Sequence, residues 1–402
     1  MDVFIARQPI FDRHQQVVAY ELLYRDSERN AAVIDDPDRA TTTVFVNSFM
    51  ELGLERVLDR LPGYINMSRP LLLGEVELPR TDNPVILEVL EDIAPDEELL
   101  EALRWRRREG YRIALDDFHY APEFLPLLDL ADVVKLDVRA LGADGIEEHA
   151  RRLWGYPGLT LLAEKVETPE EFEHCAELGF DLFQGYFFCK PKILRGRRAD
   201  PGQLAVLELM GKLNDPDFRF GELAAIVERD VSLSYKLLRF VNSAYFNLPR
   251  RIDSVQHALV ILGRANVRVW MSLIALSQVE GKPHQLLVTS LTRARMCQRL
   301  AERLEWDSNP DTYFLAGLFA AIDAFVDMPK EDVVPSLSLA KEIEKGILHG
   351  DGPIGRVLDL VLHSERADWD GADLLGLSAQ RVNDLYVEAV RWAGQAADAI
   401  RE

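Results

Sequence analysis

The sequence predicts an α/β barrel followed by an all-α domain. Residues 3–188 carry eight short, β-rich apolar runs, and most gaps between them suit a helix. Residues 190–203, KPKILRGRRADPGQ, break that rhythm with Pro, Gly and a run of bases. Beyond them apolar residues recur with period 3.6 and strand signals almost vanish. A chain of 402 residues has room for two domains. The expected division is a barrel over 1–195, a linker over 196–203 and a helical domain over 204–402. A doubly wound sheet is the competing topology for the first half.

The eight runs are VFIARQPI (3–10), VVAYELLY (17–24), GYINMS (63–68), VILEVL (85–90), RIALDDF (112–118), VVKLD (133–137), TLLAEKV (160–166) and LFQGYFF (182–188). About six residues separate the first two, so they read as an antiparallel hairpin. Later gaps read as βα units. PDEELLEALRWRRREG (95–110) is one helix. TPEEFEHCAELG (168–179) is another, opening on a Thr cap with acids and closing on Gly. In the second half QLAVLELMGKLN (203–214), FGELAAIVER (220–229), SLSYKLLRFVNSAYF (232–246) and SVQHALVILG (254–263) read as helices. The acidic, Gly-rich stretch 366–376 reads as a loop.

Composition narrows the function classes. The net charge of −21 argues against binding nucleic acid directly over the whole surface. The acidic excess is heavier in the first half. Residues 251–300 are locally basic, which fits a solvated helix face or a docking surface for an acidic partner. No apolar run reaches the ~18 residues of a membrane span, so no membrane partner is expected. The opening MDVFIARQPIFDR is too short and too charged for a signal peptide. Cys175, Cys189 and Cys297 are odd in number and far apart, so neither a disulfide framework nor a CxxC metal site is indicated. A cytoplasmic location follows.

Several strand runs end in acids or amides: Glu21, Asn66, Glu88 and Glu91, Asp116 and Asp117, Lys135 and Asp137, Glu164 and Glu167, and Gln184. In a (β/α) barrel, residues at the C-terminal strand ends converge on one mouth. Several carboxylates there repel each other unless a cation sits among them. Mg²⁺ or Mn²⁺, hard ions with oxygen ligands, suit such a mouth. Two ions could clamp a phosphodiester and activate water, with Lys135 orienting water or stabilising charge. The plain alternative is that each acid is a helix cap or an ion-pair partner, and only repetition over five strand ends weighs against it.

These motifs resemble, over the whole first half, the EAL domain, a barrel that hydrolyses cyclic di-GMP to its linear dinucleotide. RQPIFD (7–12), ELLYR (21–25), INMS, LEVLE, ALDDF, VKLD, AEKVET and QGYFFCKP stand in that family's order. The resemblance implies metal ligation by Glu21, Asn66, Glu88 and Asp116, with Asp117 as second-metal ligand. It places Lys135, Glu164 and Glu167 in the catalytic shell. It implies nucleotide contacts from Gln8, Arg25 and Gln184, and loop positioning by Glu91. Departures accompany it. Leu22 replaces the signature Ala, and Leu90 a Thr. HYAPEFLPLLDL replaces a Gly-rich loop after Asp117, with His119 at the first Gly. His119 and Tyr120 are expected to resist the backbone angles that glycines would allow there.

Residues 203–290 resemble the HDOD domain, a relative of HD phosphohydrolases, through DVSLSYKLLRFVNSAYF (230–246) and RIDSVQHALVILGRANVRVWMSLIALS (251–277). A hydrolytic HD domain needs a His-Asp pair, and no His-Asp dipeptide occurs in this chain. Ala320 and Ala321 stand where the pair would fall, and His257, His284, His349 and His363 are scattered. No cofactor is expected in this half, which reads as a protein-interaction module. The two-domain order resembles a family of bacterial signalling proteins. It implies a degenerate, weak or inactive phosphodiesterase acting as a cyclic di-GMP sensor or scaffold. Output would pass to signalling proteins through the HDOD half, and a homodimer is compatible with this. The alternatives are an active metal-dependent phosphodiesterase and a scaffold that binds no nucleotide.

Overall fold

The computed structural model describes residues 3–26, 58, 61–75, 78, 84–190, 201–214, 220–229, 231–242, 252–277, 279, 281–304, 309–366 and 372–401. The chain forms two compact units, whose main bodies are Met1–Phe187 and Phe188–His363; the stretches after 363 are shared between them.

The first unit is a closed barrel of eight strands in sequence order. They are β1 (Val3–Asp12), β2 (Val17–Asp26), β3 (Gly63–Met67), β4 (Val85–Val89), β5 (Arg112–Leu115), β6 (Val133–Asp137), β7 (Thr160–Glu164) and β8 (Leu182–Gln184). All eight expected strands are present, and closure excludes the doubly wound sheet. β1 runs antiparallel to both neighbours, β2 and β8, while the other pairs are parallel. The cause is the short turn after β1. The Asp12 carboxylate accepts from the backbone of His14 at 2.8 Å and of Gln16 at 2.9 Å, and Gln15 takes φ +58°. So tight a turn leaves no room for the crossover that parallel strands require.

Helices α1 (Arg69–Leu73), α2 (Glu97–Arg108), α3 (Leu125–Leu128), α4 (Val138–Leu153) and α5 (Pro169–Glu177) link the parallel strands. Asp96 caps α2 by accepting from Leu99 N at 2.9 Å. Thr168 caps α5 in a reciprocal box with Glu171. Inside the barrel, Ile10, Ala19, Tyr64, Ile86, Ala114, Val133 and Leu162 form one buried cluster, with Leu182 packed against it. This layer, one residue from each strand, is the floor beneath the mouth.

The described elements of the second unit are helical. They begin with α6 (Pro201–Asn214), α7 (Phe220–Arg229), α8 (Val231–Val241), α9 (Val255–Leu276), α10 (His284–Leu304) and α11 (Pro310–Phe319). α12 (Ile322–Val326), α13 (Lys330–Val333), α14 (Lys341–His349), α15 (Gly352–Glu365) and α16 (Ala379–Arg401) follow. α6 begins at Pro201, inside the expected linker, because proline's fixed φ suits a first helical turn. The helix expected to end at Gly263 does so: Gly263 takes non-helical angles, φ +71° and ψ 164°, and a second helical stretch follows directly within the range of α9. All three cysteines are free, with Cys175 and Cys297 buried. Among the described residues no helix is long and apolar enough to cross a membrane.

Candidate active site

Side chains alternate faces along a strand, so a residue two positions beyond a floor residue points into the same lumen, one layer higher. Counting two on from Ala19, Tyr64, Ile86, Ala114, Val133, Leu162 and Leu182 gives Glu21, Asn66, Glu88, Asp116, Lys135, Glu164 and Gln184. β1 runs the other way, so counting two back from Ile10 gives Gln8. Every strand therefore contributes one polar group to a single ring.

Lys135 is fully buried at its centre. Its ammonium lies 2.5 Å from Glu88, 2.7 Å from Asp116, 2.8 Å from Glu164 and 3.6 Å from Glu21. On the β1–β8 side, the Gln184 amide donates to Gln8 Oε1 at 2.7 Å and to Glu21 Oε2. The Asn66 amide donates to Glu21 Oε1 at 3.4 Å, a long bond. Four carboxylates thus share one ammonium, and the charges do not balance. Burial first, then the neighbouring carboxylates Glu21 and Asp116, push Glu88 well above the usual carboxylate range. Burial and neighbouring Asp116 and Glu21 push Glu164 up to about 8, against the opposing pull of Lys135. Burial opposes the charge on Lys135, but the surrounding carboxylates outweigh it and raise its pKa further.

These shifts make a stability prediction. A folded Glu164 keeps its proton over the interval from about 4.5 to about 8, where the unfolded chain has lost it. The associated stability is full below that interval and is lost as pH rises through it. In EDTA the melting temperature should fall between pH 5 and pH 8.5, and Glu164→Gln should flatten the fall. A Glu164→Gln profile parallel to that of the unaltered protein would refute the assignment.

Asp117 does not join the ring. One residue past Asp116, it takes φ +41° and turns its carboxylate toward Lys165, 3.5 Å away. Lys165 itself follows Glu164, takes φ +55° and also pairs with Asp137. Burial would raise Asp137, but Lys165 and the backbone amides of α4 bring it below the usual range. The backbone strain expected at His119 and Tyr120 is therefore displaced. Neither has positive φ, and the left-handed residue is Asp117, of a type that tolerates this region. The altered loop has its own ties. His119 Nδ1 lies 2.8 Å from the Asp117 carbonyl, and Tyr120 N donates to His149 Nε2 at 3.2 Å.

Glu167 stands apart from the ring and pairs with Arg139 at 2.7 Å. Glu91 is exposed in the turn after β4 and lies outside the cluster. The Arg25 side chain lies outside the described ones. Asp137 stands among the strand-end polar groups of the sequence with no role assigned to it, and Lys165 is not singled out there at all. The signal was available, because both lie at strand ends next to predicted groups.

The donor chemistry fits a hard divalent ion. Glu88 Oε2 and Asn66 Oδ1 are buried and accept no hydrogen bond, while Glu88 Oε1 lies 2.5 Å from the Lys135 ammonium. As the side chains stand, no three His, Cys, Asp or Glu among the described residues are grouped to hold an ion. Lys135 sits between them, and an ion must rearrange that ring. In the helical unit Ala320 ends α11 and Ala321 follows, buried; neither can ligate.

Both units match known protein families. Residues 72–191 match the EAL domain family model and residues 203–330 match the HDOD domain model. The cyclic di-GMP phosphodiesterase CdgJ of Vibrio cholerae is 36% identical over 97% of this chain and 92% of its own length. The Bacillus subtilis protein YuxH is 34% identical over 99% of this chain and 100% of its own. A Klebsiella pneumoniae BlrP1 structure with manganese and cyclic di-GMP is 24% identical, covering 47% of this chain and 55% of that one, with a TM-score of 0.39.

Proposed function

The chain belongs to the family in which an EAL domain is followed by an HDOD domain, and on that premise we propose that its barrel is a cyclic di-GMP receptor with slow hydrolysis at most. The helical unit carries the output through protein contacts. The observation that carries this reading is the complete ring of eight inward polar groups, with Asp117 turned away from it toward Lys165.

Glu21, Asn66, Glu88 and Asp116 would hold a first Mg²⁺ or Mn²⁺, and Asp117 would contribute to a second. The ions would supply Lewis acidity at a phosphoryl oxygen and a more acidic water. Gln8, Gln184 and Arg25 bind and orient the nucleotide, the first two already joined by a hydrogen bond across the β1–β8 seam. Lys135 keeps its proton on Nζ and offers positive charge to the attacked phosphodiester. Glu164 holds a proton at neutral pH and can return it on the basic side. Glu167, tied to Arg139, holds the loop after β7. In the second unit Tyr235, Val260 and Ile261 are large, exposed apolar groups on α8 and α9, which supports a contact role. The absence of a His-Asp pair supports the same role.

A second reading, ordinary phosphodiesterase activity, is favoured by the intact ring and by the name of the V. cholerae relative. One experiment separates the readings: cyclic di-GMP and Mn²⁺ are added, and affinity and linear product are measured on the same sample. The expected result is binding with turnover far below ~1 s⁻¹, the low end of ordinary enzyme rates. Turnover at ~1 s⁻¹ or more selects the second reading, and no binding selects a pure scaffold.

A further inference from the structure

Asp117, Lys165 and Asp137 close a second polar group over the ends of the neighbouring strands β5, β7 and β6. Its geometry is unlike that of the ring below. Asp117 and Lys165 each sit one residue past an inward carboxylate, and both take a left-handed φ, +41° and +55°. Those angles turn the two side chains toward each other. Asp137 is a fixed post. Its Oδ1 accepts from Arg139 N at 2.8 Å and Ala140 N at 3.0 Å, capping α4, and its Oδ2 pairs with the Lys165 ammonium. The same ammonium lies 3.5 Å from Asp117 Oδ1, a buried atom that accepts no hydrogen bond. Lys165 is half exposed, so its chain can swing out from a post that remains in place.

We propose that Lys165 is a built-in counter-cation for Asp117, anchored by Asp137, that competes with a divalent ion for that carboxylate and so limits the barrel to one tightly held ion. A tethered ammonium meets the Asp117 charge without the entropic cost of capturing an ion from solution. A second ion must first displace it. This inference rests on the reading of Glu21, Asn66, Glu88 and Asp116 as a first-ion site, and it adds what decides the second.

The test uses the full chain, stripped with EDTA and titrated with Mn²⁺, with free Mn²⁺ followed by electron paramagnetic resonance. The variants are Lys165→Met, which removes the charge but keeps a side chain at positive φ, Lys165→Gly, which also relaxes the backbone, and Lys165→Arg, which keeps the charge. Melting curves confirm that each is folded. The unaltered protein and Lys165→Arg should bind one ion tightly. Lys165→Met and Lys165→Gly should both bind a second about tenfold or more tighter than the unaltered protein does, roughly 1.4 kcal/mol. Adding Asp117→Asn to Lys165→Met should abolish that gain. Unchanged binding by Lys165→Met overturns the proposal, as does a gain confined to Lys165→Gly, which would be a backbone effect. Persistence of the gain with Asp117→Asn also overturns it. Folded variants and unaltered protein that bind no Mn²⁺ would defeat the first-ion reading itself. A first ion that binds normally leaves that reading standing whatever Lys165 does.

Discussion

Replacing Lys135 with Met should destabilise the ion-free barrel by ~3–5 kcal/mol, the cost of removing one partner from a buried charge cluster. Its ammonium, itself fully buried, contacts Glu88, Asp116 and Glu164 within 2.8 Å and faces Glu21 at 3.6 Å. Without it the carboxylates must take up protons or repel each other. Met preserves much of the side-chain volume, so the loss reports charge rather than a cavity. Millimolar Mn²⁺ should recover a large part of the loss, because a divalent ion can serve the same oxygens. Urea unfolding of both proteins, in EDTA and in Mn²⁺, measures the effect. A Lys135→Met midpoint equal to that of the unaltered protein in EDTA would remove Lys135 from the centre of the site.

Gly185→Ala should cost ~3 kcal/mol or more and weaken nucleotide binding at the same time. Gly185 takes φ +143°, and an added Cβ would stand 2.0 Å from the Val166 carbonyl oxygen and 2.6 Å from its nitrogen. These are backbone atoms and cannot swing aside. Val166 N donates to the Gln184 carbonyl at 3.0 Å, and Phe187 N donates to the Val166 carbonyl at 3.2 Å, so the close approach is held from both sides. Strain and overpacking of this kind each cost ~1–3 kcal/mol. Any relief must move the end of β8, which carries Gln184 and its bonds to Gln8 and Glu21. Urea midpoints and cyclic di-GMP affinity should fall together. A stable Gly185→Ala protein of unchanged affinity would show that the β7–β8 connection does not position Gln184.

The ring was legible in advance because a strand carries a strict period of two. VVKLD places Lys135 on the face of Val133, and LLAE places Glu164 on the face of Leu162. Once the runs are strands of one barrel, the convergence of their ends is geometry. The antiparallel start was legible for a similar reason, since the few residues between β1 and β2 admit only a turn. Gln8 was harder to place, because its inward face follows from the reversed direction of β1.

What the sequence alone determined is the order of elements, the alternation that aims eight polar side chains into one lumen, and the lack of ligands at Ala320 and Ala321. These are local properties of period, turn length and residue type. Tertiary structure alone decided where charge settles. Lys135 is one of several polar groups in the sequence, yet it lies among four carboxylates because strands distant in the chain close around it. The substituted loop suggested strain at His119 and Tyr120, but the left-handed angle falls on Asp117, facing a lysine 48 positions later. Lys165 reads as an ordinary charged residue after a strand. It becomes a counter-cation only because barrel closure brings the ends of β5, β6 and β7 together, and electrostatic interaction depends on distance in space, not on separation along the chain.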